Sequence, residues 1–181
     1  MMNHYEIFDN FLPEDYFKHL DKQILHMGQF KWSFQECAVA QEDESDVRDN
    51  EFYFISSFYN NLQVEDNFYY QLKPLFDALQ VKSIIRCRAI MYMNQGDIIK
   101  HSPHIDMDYS NKAALLYMNT CNGYTGMIND DWKIGDKPNF DQDNRVESIE
   151  NRLCLHDGSV PHYSTTCTDD RKRLLIALNY F

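Results

Sequence analysis

Apolar residues recur along this chain with two different periods, and the change between them divides it. In the first part Tyr16, Phe17, Leu20, Ile24 and Leu25 fall at helical spacing behind Pro13, and predict a helix over roughly 13–27. Phe68, Leu72, Leu75, Phe76 and Leu79 share one face of a second predicted helix over 64–79, with Pro74 in its middle as a potential kink. The stretches 5–8 and 51–59 (EFYFISSFY) read as strands. After residue 81 the helical period disappears. Short runs over 81–93, 112–120, 124–128, 145–149, 151–156 and 171–181 are dense in Val, Ile, Leu, Tyr and Met, and the turn clusters CNG, IGDKPN and DGS separate them. Many short, closely spaced strands predict an antiparallel sandwich or barrel. The expected class is mainly β (α+β), with the helices first and an all-β half after them.

Composition narrows this picture. A chain of 181 residues suits one domain spanning 1–181, with a core of its own. Aromatics reach 14%, which fits a β-rich interior. The net charge of −11 lowers the expectation of a nucleic-acid partner, which needs a basic surface to displace counterions from phosphate. The acidic run 42–49 (EDESDVRD) reads as a solvated loop. Five cysteines, an odd number with no CxxC pair, suggest neither a disulfide framework nor a thiolate zinc site. The start MMNHYEIFDNF lacks a secretory pattern, and no window has the apolar length to cross a bilayer. A soluble protein, cytoplasmic or otherwise intracellular, is expected.

Candidate chemistry lies in the β half, at KHSPHIDMD (100–108). On a strand, His104 and Asp106 leave the same face and can reach one ion. Much later His162 stands in SVPHYST between two strand-like runs. Two imidazoles and one carboxylate make the facial set of mononuclear non-haem iron(II), with positions left open for other ligands. Alone, this spacing is a weak signal, since HxD is common by chance and a lone later histidine is more often a surface or core residue. Arg173 opens the final apolar run RLLIALNYF. It is either an edge residue in water, as Arg171 and Lys172 are expected to be, or a buried cation that needs an anion, such as a dicarboxylate held by a bidentate pair.

Together these features resemble the prolyl 4-hydroxylase-like branch of the 2-oxoglutarate/Fe(II) oxygenases. The order carries the likeness: HxD at 104–106, LLYMN at 115–119, NGYTG at 122–126, NRLCLHDG at 151–158, then His162 and Arg173, with IFDNFLPEDYF (7–17) similar to the family's opening. The resemblance implies a double-stranded β-helix, a cupin-like jelly roll, with N-terminal helices packed on one sheet. It implies that His104, Asp106 and His162 bind Fe(II) and serve catalysis. Arg173 and Tyr117 would hold the distal carboxylate of 2-oxoglutarate, and Tyr92 would lie near this cosubstrate. The implied reaction is hydroxylation of a peptide residue, prolyl among the candidates, or of a small molecule, with O2 consumed, succinate and CO2 released, and ascorbate as a reductant. His156 stands where the family often has an aromatic residue, so it either enters the pocket or packs. His101 is a possible substitute ligand. Residues 28–60 match nothing assignable and are candidate substrate-recognition loops. Two rival readings remain beside this one: a non-catalytic metal-binding β-helix with a structural or interaction role, and a cupin-like enzyme that uses the metal without 2-oxoglutarate.

Overall fold

Residues 5–26, 31–36, 50–128, 132 and 144–181 are described by the structure, a computed structural model. The acidic run 42–49, Cys37 and the side chain of Leu25 lie outside the described residues. Strand β1 (Tyr5–Phe8) leads into helix α1 (Glu14–His26), whose first turn carries Glu14 and Asp15 where the positive end of the helix dipole favours acids. Strands β2 (Ser33–Gln35), β3 (Tyr53–Asn60) and β4 (Gln63–Val64) follow. After a 3-10 helix (Asn67–Leu72) and α2 (Lys73–Ala78) come seven further strands: β5 (Ile84–Met93), β6 (Lys112–Tyr117), β7 (Tyr124–Met127), β8 (Asn144–Glu147), β9 (Leu153–Asp157), β10 (His162–Ser164) and β11 (Lys172–Tyr180).

The expected helix over 64–79 is corrected. Val64 ends β4, and two short helices replace the single long one. Asp66 caps the first of them, its carboxylate accepting from the Phe68 amide at 2.8 Å. Pro74 does not kink a helix interior; it sits at the start of α2, where its missing N–H costs nothing.

The strands form two antiparallel sheets. The larger has the order β1-β9-β6-β11-β5-β3-β2, with β4 paired to β3, and the smaller has β10-β7-β8. Strand β11 sits in the middle of the large sheet with apolar residues on both faces, which explains its nearly continuous hydrophobic run. Leu174, Ile176, Leu178 and Tyr180 join one buried cluster with Phe17, Leu20 and Ile24 of α1 and Leu75 and Phe76 of α2. Leu175 and Ala177, from the other face, join Ile90, Tyr92, Leu115 and Tyr117 in a second cluster between the sheets. The period of two along β11 therefore sends alternate residues to two different cores. Its odd-numbered positions from Arg173 to Asn179 face the space between the sheets, where the candidate site lies. No helix among the described residues is long and apolar enough to cross a membrane.

Candidate functional site

The segment before β6 runs beside β10 and the residue after it, with bridges at Lys100↔Thr165 and His104↔His162. At the second bridge each histidine amide donates to the other's carbonyl at 2.9 Å. This reciprocal pair sets the two imidazoles side by side, with ring centres 4.5 Å apart. Two residues on, the Asp106 amide donates to Gly158 O at 2.8 Å, which turns its carboxylate back toward the histidines. Donor atoms of His104, Asp106 and His162 all lie within 4.8 Å of one another.

Neighbours orient two of these side chains, His162 and Asp106. The His162 Nδ1–H donates to Val160 O at 3.0 Å, which leaves the Nε2 lone pair free for a metal. Arg86 donates to one Asp106 oxygen at 2.8 Å and Asn179 to the other at 2.9 Å. A carboxylate oxygen has two lone pairs, so each still has one available. Burial alone would raise the Asp106 pKa, but His162, His104 and Arg86, with the Asn179 hydrogen bond, outweigh it and hold the group well below the usual carboxylate range. Burial, reinforced by His162, pulls His104 down to about 3, so its ring is neutral and able to ligate at ordinary pH.

Arg173 is fully buried, and its Nη2 donates to Thr125 Oγ1 at 2.7 Å. Its Nη1 reaches Thr165 O at 3.3 Å, while its Nε has no partner. The guanidinium lies 5.3 Å from the centre of the Tyr117 ring and 5.6 Å from that of Tyr92. The Tyr117 hydroxyl donates to the same Thr125 Oγ1 at 2.9 Å. No carboxylate among the described residues forms an ion pair with Arg173. Gly123 makes this burial possible, because a Cβ there would lie 2.7 Å from Arg173 Cδ and 2.6 Å from Thr166 O. Arg171 is exposed, as expected, whereas Lys172 is half-buried.

The two other candidate histidines, His156 and His101, are both buried. His156 packs its ring 4.8 Å from that of His162, and its Nδ1–H donates to Asp157 O at 2.9 Å. His101 stands edge-on to Tyr92 and Tyr53, outside the three-residue cluster. Burial lowers both to about 4, reinforced at His156 by His162 and at His101 by Arg173. The sequence reading did not identify Arg86, Asn179 or Thr125. Their roles depend on cross-strand contacts, although Arg86 and Asn179 do lie at positions of the β5 and β11 runs that share a face with Tyr92 and Arg173.

Between the ligands and Tyr92 lies a cavity of about 30 Å³, lined also by Tyr53, Arg88, Ser164 and Ala177. That volume is on the scale of a single water. Tyr53 narrows it by stacking on Tyr92, with ring centres 5.5 Å apart.

No family model matches the chain, and no curated protein sequence matches it significantly. Solved structures do match its fold. A prolyl hydroxylase from Trichoplax adhaerens, in complex with a hypoxia-inducible-factor degradation-domain peptide, aligns over 99% of this chain and 84% of its own at 18% identity, with a TM-score of 0.65. An oxidoreductase of the 2OG-Fe(II) oxygenase family from Burkholderia pseudomallei aligns over 98% and 84% at 10% identity and TM-score 0.68. HygX from Streptomyces hygroscopicus, with nickel, 2-oxoglutarate and hygromycin B bound, aligns over 98% and 82% at 9% identity and TM-score 0.60. With two antiparallel sheets, the His-Asp-His cluster between them and these likenesses along nearly its whole length, the chain has the jelly-roll fold of the 2-oxoglutarate/Fe(II) oxygenases, prolyl hydroxylases among them.

Proposed function

We propose that this chain is a single-domain Fe(II)- and 2-oxoglutarate-dependent dioxygenase that hydroxylates a peptide residue or a small molecule. Two of the matched structures hold a peptide fragment and hygromycin B, so the fold accommodates both a peptide and a small molecule. His104, Asp106 and His162 are the metal ligands in this reading. Arg173 and Tyr117 receive the distal carboxylate of 2-oxoglutarate, and Tyr92 walls its chamber.

Arg173 carries the proposal. A buried cation without a carboxylate partner is costly, and it rests between two tyrosines in the same inter-sheet space as the ligand cluster. A dicarboxylate held at Arg173 would supply the missing charge and could take the unused Nε donor. A bare metal site has no need of such a residue.

Iron and cosubstrate, once bound, supply the oxygen chemistry, taking O2 and releasing succinate and CO2, with ascorbate available to re-reduce the metal. The chain itself does four things. Val160 O orients the His162 ring, and the reciprocal backbone pair sets the His104 ring beside it. Arg86 and Asn179 hold Asp106 ionised and in one orientation. Apolar residues Leu115, Leu175 and Ala177 exclude water from the chamber. Thr125 aligns Arg173 and Tyr117 through one shared hydroxyl.

The test is calorimetric titration of 2-oxoglutarate into zinc-loaded protein, followed by a succinate assay with Fe(II). Saturable binding that requires metal, and succinate formation that requires iron, are expected. Metal binding without any 2-oxoglutarate affinity would overturn the reading.

A further inference from the structure

The inner face of β5 carries three cationic or polar side chains in sequence toward the site, Arg86, Arg88 and Tyr92, with Ile90 between the last two. Arg86 is committed to Asp106, and Arg173 lies beyond the Tyr92 ring. Arg88 has no such commitment. It lines the cavity together with His104, Asp106 and His162, and its Nε is buried without a hydrogen-bond partner. Among the described residues no carboxylate forms an ion pair with it. Its register partners on the flanking strands, Ser57 on β3 and Ala177 on β11, are both short, so neither neighbour covers the guanidinium.

We infer that Arg88 is a substrate-recognition residue that pairs with a carboxylate of the molecule to be oxidised, holding it beside the His104–Asp106–His162 cluster. The inference rests on the dioxygenase reading above and narrows its substrate class. Arg88 is half-buried, and a guanidinium can bind a planar anion through two parallel hydrogen bonds. A carboxylate matches the single charge available. A phosphate dianion would need a second cation, and Arg86, two residues away on the same face of β5, already neutralises Asp106. In a chain of net charge −11, an uncompensated arginine beside the candidate ligands is a local exception that a ligand's charge explains.

The carboxylate can belong to a free acid or to an acidic peptide side chain, and two sets of matched probes distinguish these sources. The first set is N-acetyl amino acids against their carboxamides. The second is acetylated pentapeptide amides containing Glu against the same peptides containing Gln. Binding is followed by ligand-observed NMR on zinc-loaded protein, with and without 2-oxoglutarate, for wild type, Arg88→Lys and Arg88→Met. At least one acid is expected to bind tenfold or more tightly than its uncharged partner. Arg88→Met should abolish that preference and Arg88→Lys should keep part of it, with zinc content and thermal midpoint near those of wild type. If no acid binds, if acid and amide bind alike, or if Arg88→Met retains the preference, the inference is overturned. It is also overturned if Arg88→Met weakens 2-oxoglutarate tenfold, which would assign Arg88 to the cosubstrate. Failure of wild type to bind 2-oxoglutarate sinks the dioxygenase reading instead, and the acid preference on zinc-loaded protein alone still decides the role of Arg88.

Discussion

His104 and His162 exchange both of their backbone hydrogen bonds, each at 2.9 Å, although one precedes β6 and the other begins β10. This pairing makes the two imidazoles neighbours across a bridge, with ring centres 4.5 Å apart. It is a backbone device, so the bridge survives loss of either side chain. His162→Ala should keep the fold while its metal affinity falls at least tenfold. Unchanged zinc stoichiometry at limiting metal would remove His162 from the ligand set.

Asp106 is both a candidate ligand and the partner of Arg86 and Asn179. Asp106→Ala should abolish 2-oxoglutarate-dependent succinate release, and should also lower stability by about 1.5–3 kcal/mol, the usual worth of a hydrogen bond to a charged group. Asp106→Asn should lose as much activity with less loss of stability, because an amide oxygen still accepts from Arg86. Urea unfolding of the metal-free variants separates the two effects. Equal stability of Ala and Asn variants would mean that the Arg86 contact contributes nothing.

Arg173→Met should weaken 2-oxoglutarate at least tenfold at equal metal content, because charge-assisted hydrogen bonds contribute roughly 1.5–3 kcal/mol each. Arg173→Lys keeps the charge without the planar fork and should also weaken it. Gly123→Ala tests the same group from outside, since its Cβ would displace Arg173 Cδ. Titration of 2-oxoglutarate into the zinc forms gives the affinities. Wild-type affinity in Arg173→Met would leave the non-catalytic or cupin-like reading in its place.

Acid should unfold the metal-free protein through its buried histidines. His101, His104 and His156 are held near 4, 3 and 4 by burial, below the ordinary 6.5. The unfolded chain therefore binds more protons throughout that window, so stability is full above about pH 6.5 and declines as pH falls toward 4. Each pH unit costs up to about 1.4 kcal/mol per histidine. Urea midpoints at pH 7.5 and 5 check this. Equal midpoints would show that these rings protonate freely in the folded state.

Gly126 lies on β7 opposite Tyr163 of β10, and a Cβ there would come within 2.1 Å of the Tyr163 ring. Gly126→Ala should destabilise by about 1–3 kcal/mol through overpacking. Tyr163→Leu in the same background should recover part of the loss. A neutral Gly126→Ala variant would show that the ring can move aside.

What the residues alone determined was local and periodic. The α1 spacing of Phe17, Leu20 and Ile24 and the strand runs after residue 81 follow from repeats of 3.6 or 2. Arg173 at the head of an apolar run was legible as an anomaly for the same reason. His104 and Asp106 converge for another reason than the strand period expected of them: they lie outside the strands, and the His162 and Gly158 backbone places them. Pro74 misled because one residue can kink a helix or begin one, and only the preceding 3-10 turn decided which. The long-range pairings were left to the tertiary structure: Asp106 with Arg86 and Asn179, Tyr117 and Arg173 with Thr125, and His156 against His162. Each joins residues on different strands, and strand order is set by which sheet faces can be buried together, a property of the whole chain that no local window contains. Arg88 shows the limit most plainly. In sequence it is one of two arginines in IIRCRAIMYM, and only folding reveals that Arg86 meets an acid while Arg88 does not.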